Sequence, residues 1–558
     1  MSVPIAPSLD INIEPSPVVS KRVLFLSLQA IVNAIVIGFV AKGLVALINL
    51  ITNLSFYGKF SFEEASPVHN TLGLFVIIVP VIGGLIVGVM ARLGSAAIRG
   101  HGIPEAMEQV LTNDSKIKPI ITWLKPLSAA FAIGTGGPFG AEGPIIATGG
   151  ALGSLAGQIM HITPNERKIM LTAGATAGMA AIFGTPIAAV LLAIELLLFE
   201  FSPRSIIPVA LACATGTAMH FILFGTAPVF AMPVIPAAGS EAMLWYVLLG
   251  VVIGVIAAFI SKSIYFIEDL FEHLPFHWMW WPAIGAVAVG VTGYFAPYTL
   301  GVGYSNISSL LSGNLSLQIV LGLCVLKFIS WSVSLGSGTS GGTLAPLLTI
   351  GGATGVGLGM LVLTLFPHSD INLPTCALIG MAAMFAGAAR ALLTAIVFAF
   401  ETTMQPHGLL PLLGACTASY FVSFFLMKSS IMTEKIQRRG VATPDVYGPD
   451  VLQGINAEDA MDKTISVEGV PEAYVHPDSK LSVAIAVMDK YNTDYLPVVD
   501  DGKVVGVLTA KLVLAAYGKK HRANEDYQRA ISVKRSGYKL IVKGKNFLGA
   551  GRNPAKPL

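Results

Sequence analysis

Charge is scarce in this chain. Asp, Glu, Lys and Arg make up 12% of its 558 residues while 54% are hydrophobic, and the mean hydropathy is +0.72. A soluble protein carries roughly 25% charged residues, so too few are present to clothe a water-soluble fold and most of the chain must face lipid. The net charge of +3 is too small to argue for a nucleic-acid partner. Cysteine is equally sparse: Cys213, Cys324, Cys376 and Cys416 stand far apart in apolar segments, which indicates neither a disulfide framework nor a metal site. No basic cluster precedes Lys21 and Arg22, and the first 20 residues hold four prolines, unlike a signal peptide; they read as a loose N-terminal arm.

The scarcity is uneven. Of the charged residues, 30 lie in 441–558 and only 37 in the first 440. The sequence therefore divides into a membrane domain over 21–440, a small soluble domain over 441–518 and a basic tail over 519–558. The membrane part has a dozen apolar runs. Several are too short, or too interrupted by Gly and Pro, to cross a hydrocarbon core of about 30 Å, which takes about 20 helical residues. Broken helices at membrane depth are tolerated where their free backbone groups meet protein, water or a ligand, so a buried polar pathway is implied. Lys21 and Arg22, Arg92 and Arg99, and Lys435, Arg438 and Arg439 flank the runs on ends that the positive-inside rule makes cytoplasmic, which puts both termini on that side.

An internal repeat organises the membrane part. KPLSAAFAIGTGGPFGAEGPIIATGGALGSLAG from Lys125 and KFISWSVSLGSGTSGGTLAPLLTIGGATGVGLG from Lys327 superpose without a gap at an offset of 202. Lys, Gly and Pro fall in register, and the offset also places Gly-Met-Ala-Ala at 178 on the same four residues at 380. This is a duplication, with halves at about 75–235 and 240–432. In each copy a glycine-rich stretch ends in Gly-x-x-x-Pro, Gly140 to Pro144 and Gly342 to Pro346, the pattern of a loop entering a half-helix. Gly100-His101-Gly102-Ile103-Pro104 has the same form. Three helix N-termini converging at mid-membrane bind an anion through N–H groups and dipoles without a full counter-charge, which keeps release easy. Glu142 is the only ionisable side chain between Lys125 and His161. It reads as a gate that competes with the anion for those amides, or as a plain cap of its own helix. Lys125 and Lys327 either raise the potential of the pathway, or snorkel or pair with a carboxylate such as Glu401.

These residues resemble the CLC family of chloride channels and chloride/proton exchangers, whose signatures are Gly-Ser-Gly-Ile-Pro, Gly-Lys/Arg-Glu-Gly-Pro and Gly-x-Phe-x-Pro. Here they read Gly100-His101-Gly102-Ile103-Pro104, Gly140-Ala141-Glu142-Gly143-Pro144 and Gly342-Thr343-Leu344-Ala345-Pro346. The resemblance implies an α-helical polytopic membrane protein with an inverted-repeat fold of broken helices. It implies a homodimer with one anion pathway per subunit and chloride or a related anion as the substrate, with no cofactor. It assigns the gate to Glu142 and the anion site to Gly100, His101, Gly102, Ile103, Pro104, Gly140, Gly143, Thr343 and Leu344. Met432 of Ser430-Ile431-Met432 stands where the family has its inner tyrosine, His101 where it has a serine and Leu344 where it has a phenylalanine. The inner proton-accepting glutamate of the exchangers falls at Leu196, with Glu195 one position earlier and about 100° away on a helix. The expectation is therefore a passive glutamate-gated chloride channel in a prokaryotic inner membrane, with an exchanger using another proton route as the alternative.

The soluble segment resembles one CBS motif, a small α/β unit: Lys480–Met488 reads as helix, then Tyr495–Thr509 as strand, Asp-Gly turn and strand. Leu512 replaces the acidic residue that holds nucleotide ribose in such motifs, so nucleotide binding is not expected. The basic tail reads as lying near an acidic leaflet or as plain disorder. An intramembrane hydrolase built on Ser337 is disfavoured, because Ser337 falls on Thr135 in the repeat and no histidine shares its segment.

Overall fold

The computed structural model describes residues 21–441, 443, 452, 455–463, 473–477, 479–500 and 503–519. The N-terminal arm and all but Lys519 of the basic tail lie outside the described residues. The chain divides into two compact units between Tyr447 and Gly448.

The membrane unit is built from helices. In order they are α1 (Lys21–Thr52), α2 (Ile78–Leu93), α3 (Ile103–Thr112), α4 (Ile121–Gly134), α5 (Glu142–Ile159), α6 (Pro164–Phe183), α7 (Pro186–Leu192) and α8 (Pro203–Leu223). There follow α9 (Ser240–Glu272), α10 (Trp281–Phe295), α11 (Tyr304–Ser312), α12 (Leu317–Gly336), α13 (Leu344–Leu365), α14 (Leu373–Ala389), α15 (Leu392–Thr403), α16 (Leu409–Leu426) and α17 (Glu434–Arg438). Among the described residues, seven helical stretches are long and apolar enough to span a bilayer. Helix α1 is apolar all round, with Leu24, Phe25 and Leu28 exposed on one side and Leu26, Ala30 and Ile37 buried on the other, as a lipid-facing span requires.

Helices α1 to α8 repeat as α9 to α16. Helix α5 packs on α6 as α13 packs on α14, and α1 on α8 as α9 on α16; α2 meets α10, and α7 meets α15, each against its own equivalent. The first half therefore starts with α1, ahead of the boundary near 75 drawn from the sequence. The shared stops are also legible: α6 ends at Gly184 and α14 at Arg390, both left-handed. At the start of α6, Thr163 and Glu166 form a capping box, and Glu166 also accepts from Arg22 at 2.6 and 2.8 Å, which ties the entrance of α1 to α6.

The second unit contains α18 (Ala457–Ala460), α19 (Leu481–Lys490), the antiparallel pair β1 (Tyr495–Asp500) and β2 (Lys503–Thr509), and a helix over 510–519. Leu481, Ala484, Leu496, Val498, Leu508 and Val513 make its core, and Leu512 packs partly buried against them. The Asp501-Gly502 turn lies outside the described residues.

Candidate functional site

Three loops meet where the expected half-helices begin. Gly140 and Gly342 exchange N–H···O bonds of 3.3 and 3.1 Å, while Gly100 donates to Thr339 O at 3.0 Å and accepts from Gly341 at 3.4 Å. The loops before α3, α5 and α13 are thus stitched together by their own backbones. The approach is close enough to exclude a side chain: a Cβ on Gly102 would strike the Gly143 carbonyl, and one on Gly143 would strike the His101 carbonyl. Gly102 also sits at φ +99°, a conformation that favours glycine. Glycine is needed here for packing and for turning together.

Two buried lysines hold the loops. Lys125 Nζ donates to Ile98 O at 2.7 Å and Gly100 O at 2.8 Å, and Lys327 Nζ donates to Thr299 O at 2.9 Å and Gly301 O at 2.8 Å. Neither snorkels and neither pairs with Glu401. Glu401 instead accepts from Ile187 N at 3.0 Å and Ala188 N at 2.9 Å, capping α7. The lysine bonds also show what the offset of 202 hides. Lys327 anchors Gly301-Val302-Gly303-Tyr304, a diverged copy of Gly100-His101-Gly102-Ile103 at an offset of 201, so α11 is a fourth half-helix. Gly303 at φ +80° precedes it as Gly102 precedes α3.

Glu142 is the first residue of α5 and is fully buried. Its carboxylate reaches across to the N-terminus of α13, where Oε1 accepts the Ala345 N–H at 2.7 Å. The amides of Leu344 and of Glu142 itself also face it, and Oε2 accepts the Tyr304 hydroxyl at 3.2 Å. It caps the neighbouring half's helix as well as its own, in the place where an anion would be held.

His101 is buried, and its Nδ1 has no hydrogen-bond partner among the described residues; the same is true of Thr343 Oγ1. Buried polar atoms are almost always paired, so two on adjoining loops leave donors for a polar guest. Ile103, Pro104 and Leu344 are buried at the first turns of α3 and α13. Glu105 completes the α3 start by accepting the Gly102 N–H at 2.6 Å and the Lys435 ammonium at 3.0 Å. Met432 is buried and follows Ile431, whose carbonyl accepts from Tyr265 Oη at 2.7 Å.

A cavity of about 570 Å³ opens beside this cluster, lined among others by Arg99, Glu105, Lys125, Glu268, Trp278 and Lys435. Lys125 and Glu105 line it while holding the Gly100 to Gly102 backbone from behind. Arg99, Lys435 and Arg439, which the sequence assigns to one membrane side, all reach it.

Glu195 lies in a single π-helical stretch, Ala193–Leu198. Its oxygens accept from Leu393 N and Thr394 N at 2.9 Å each and from Thr394 Oγ1 at 2.6 Å. Leu196 is buried in the main apolar cluster. Ser337 Oγ donates to Ser334 O, an ordinary intrahelical bond. Two features escaped sequence reading: Tyr304 on Glu142, for which the Gly-x-Gly echo at 301 was the available signal, and the long-range caps by Glu195 and Glu401, for which there was none.

The family model described as Voltage gated chloride channel matches residues 83–424, and the one described as CBS domain matches residues 458–519. Among curated proteins, the chain is 30% identical over 346 residues to the H(+)/Cl(-) exchange transporter ClcA of Salmonella paratyphi B (strain ATCC BAA-1250 / SPB7), covering 59% of this chain and 71% of that one. It is 29% identical over 371 residues to ClcA of Yersinia pestis bv. Antiqua (strain Angola), covering 63% and 76%. Among solved structures, a slow cyanobacterial Cl-/H+ antiporter superposes with a TM-score of 0.64 at 22% identity, over 75% of this chain and 98% of that one.

Proposed function

The chain belongs to the CLC family of voltage-gated chloride channels and transporters, a multi-pass membrane protein that moves anions and carries a C-terminal CBS domain, and on that premise we propose that it is a proton-coupled chloride exchanger gated by Glu142. The observation that carries this reading is the Glu142 carboxylate lying on the α13 amides. An anion bound there needs the same donors, so the two exclude each other. Protonation turns the carboxylate into a neutral acid that gives up the amides, and the side chain then leaves with its proton as the anion arrives. The passive channel expected from the sequence gives way to this alternative because the similar curated proteins are named as H(+)/Cl(-) exchangers.

Gly100 to Pro104, Gly140, Gly143, Thr343, Leu344 and Met432 form the pathway around this gate, with His101 Nδ1 and Thr343 Oγ1 as free polar contacts. The working unit is a homodimer with one pathway per subunit in a prokaryotic inner membrane, both termini cytoplasmic. No cofactor is required, and the CBS domain serves without nucleotide.

The test is direct. In proteoliposomes with an imposed chloride gradient and a clamped potential, the exchanger drives protons uphill in fixed proportion to chloride. Flux rises as pH falls, and Glu142→Gln abolishes both the proton movement and the pH response. Chloride flux without proton movement would reinstate the passive channel, the reading favoured by the buried apolar Leu196 at the inner position.

A further inference from the structure

We infer that Tyr304 is the latch of the gate: its hydroxyl holds the Glu142 side chain on the α13 N-terminus and sets how readily it leaves. This rests on the gating role of Glu142 proposed above and adds a residue to it. Tyr304 opens α11, the half-helix of the second repeat that corresponds to α3. Its hydroxyl donates to Glu142 Oε2 at 3.2 Å, while the other oxygen is taken by Ala345 N–H at 2.7 Å. The carboxylate is therefore held from two sides by donors belonging to the second half, although it rises from the first.

The ring has little freedom to follow Glu142 if it moves. Phe183 and Phe230 pack against it, each with centroids 5.9 Å away, and Phe183 stands edge-on to Phe398 at 4.9 Å. Those three phenylalanines are buried, so the phenol is aimed by a rigid aromatic wall. Below the ring, Gly303 at φ +80° and the Lys327 bond to Gly301 O fix the turn that presents it. A fixed hydroxyl donor favours the charged carboxylate and loses its partner when Glu142 swings out, so it opposes release.

Tyr304→Phe removes the oxygen and keeps the ring contacts. Chloride turnover in proteoliposomes should rise by about tenfold, the scale of one hydrogen bond to a charged group. The pH at which turnover is half-maximal should move upward, because protonation then competes with one donor fewer. Simple loosening of the aromatic wall would not shift that profile. In a Glu142→Ala background the same substitution should change neither turnover nor pH response. Wild-type turnover and an unmoved profile in Tyr304→Phe would overturn the latch, and so would an equal change in the Glu142→Ala background, which would make Tyr304 pathway lining. If Glu142→Ala itself leaves transport unaltered, the gate fails and not the latch alone.

Discussion

Glu195 and Glu401 cap each other's helices. Glu195, in the π-helical turn after α7, accepts the first amides of α15, and Glu401, near the end of α15, accepts the first amides of α7. The two segments are equivalents in the repeat and pack together, so each half supplies the carboxylate that the other half's helix start lacks. A carboxylate at a helix N-terminus satisfies orphan amides and meets the positive dipole end.

Glu195 caps α15, and a structural role is the one expected of it. Glu195→Ala should lower thermal stability by about 2 kcal/mol or more, the cost of losing hydrogen bonds to a charged group, seen as a reduced midpoint in detergent. Glu195→Gln, which retains acceptor capacity, should fold and leave the proton-to-chloride ratio as in wild type. A changed ratio in the folded Glu195→Gln protein would put this residue on the proton route.

The lysines give a comparison between halves. Lys125→Met and Lys327→Met each leave two carbonyls unpaired in a buried site, so both should destabilise the protein by amounts of the same order. Their transport effects should differ in kind. Lys125 holds the carbonyl next to His101, so its loss should change apparent chloride affinity, whereas Lys327 holds the turn before Tyr304, so its loss should change the rate of gate release. Chloride titration by calorimetry together with turnover in liposomes separates the two, and identical profiles for both variants would contradict the assignment.

How much of this could be read beforehand follows from the physics of each feature. The half-helices at Gly140 and Gly342 were legible because close backbone packing and a helix start restrict those positions to Gly and Pro in both copies. Tyr304 was not, because the copy at 301 retains only two glycines and has slipped by one residue. The role of the lysines was ambiguous, since sequence records the charge but not the carbonyls within reach. Glu142 was singled out by its isolation among apolar residues, yet its contact with the opposite half required the fold. The first repeat helix, α1, escaped because lipid-facing spans constrain hydrophobicity and not identity.

The CBS domain should not respond to adenine nucleotides. Leu512 packs partly buried against the apolar core beside Val513 and offers no acceptor for ribose hydroxyls. With the full-length protein, millimolar ATP should leave the melting profile and the transport rate unaltered. A rise in the melting midpoint that saturates with ATP would show a nucleotide site at this domain.

His101 should set selectivity. It stands between two glycines that no side chain could replace, with its carbonyl against Gly143 and its Nδ1 unpartnered in a buried position. An imidazole there offers an N–H donor in its neutral form, the form that burial favours. The ionisable groups around it are Glu105, Lys435 and Lys125. A single neutral donor discriminates poorly between chloride and nitrate, but an orienting ring nitrogen favours the planar oxyanion over the sphere. His101→Ser should therefore shift the chloride-to-nitrate permeability ratio toward chloride by a few fold. Bi-ionic potentials in Glu142→Gln and in the double variant read the ratio. An unchanged ratio would leave His101 as a packing residue of the α3 entrance.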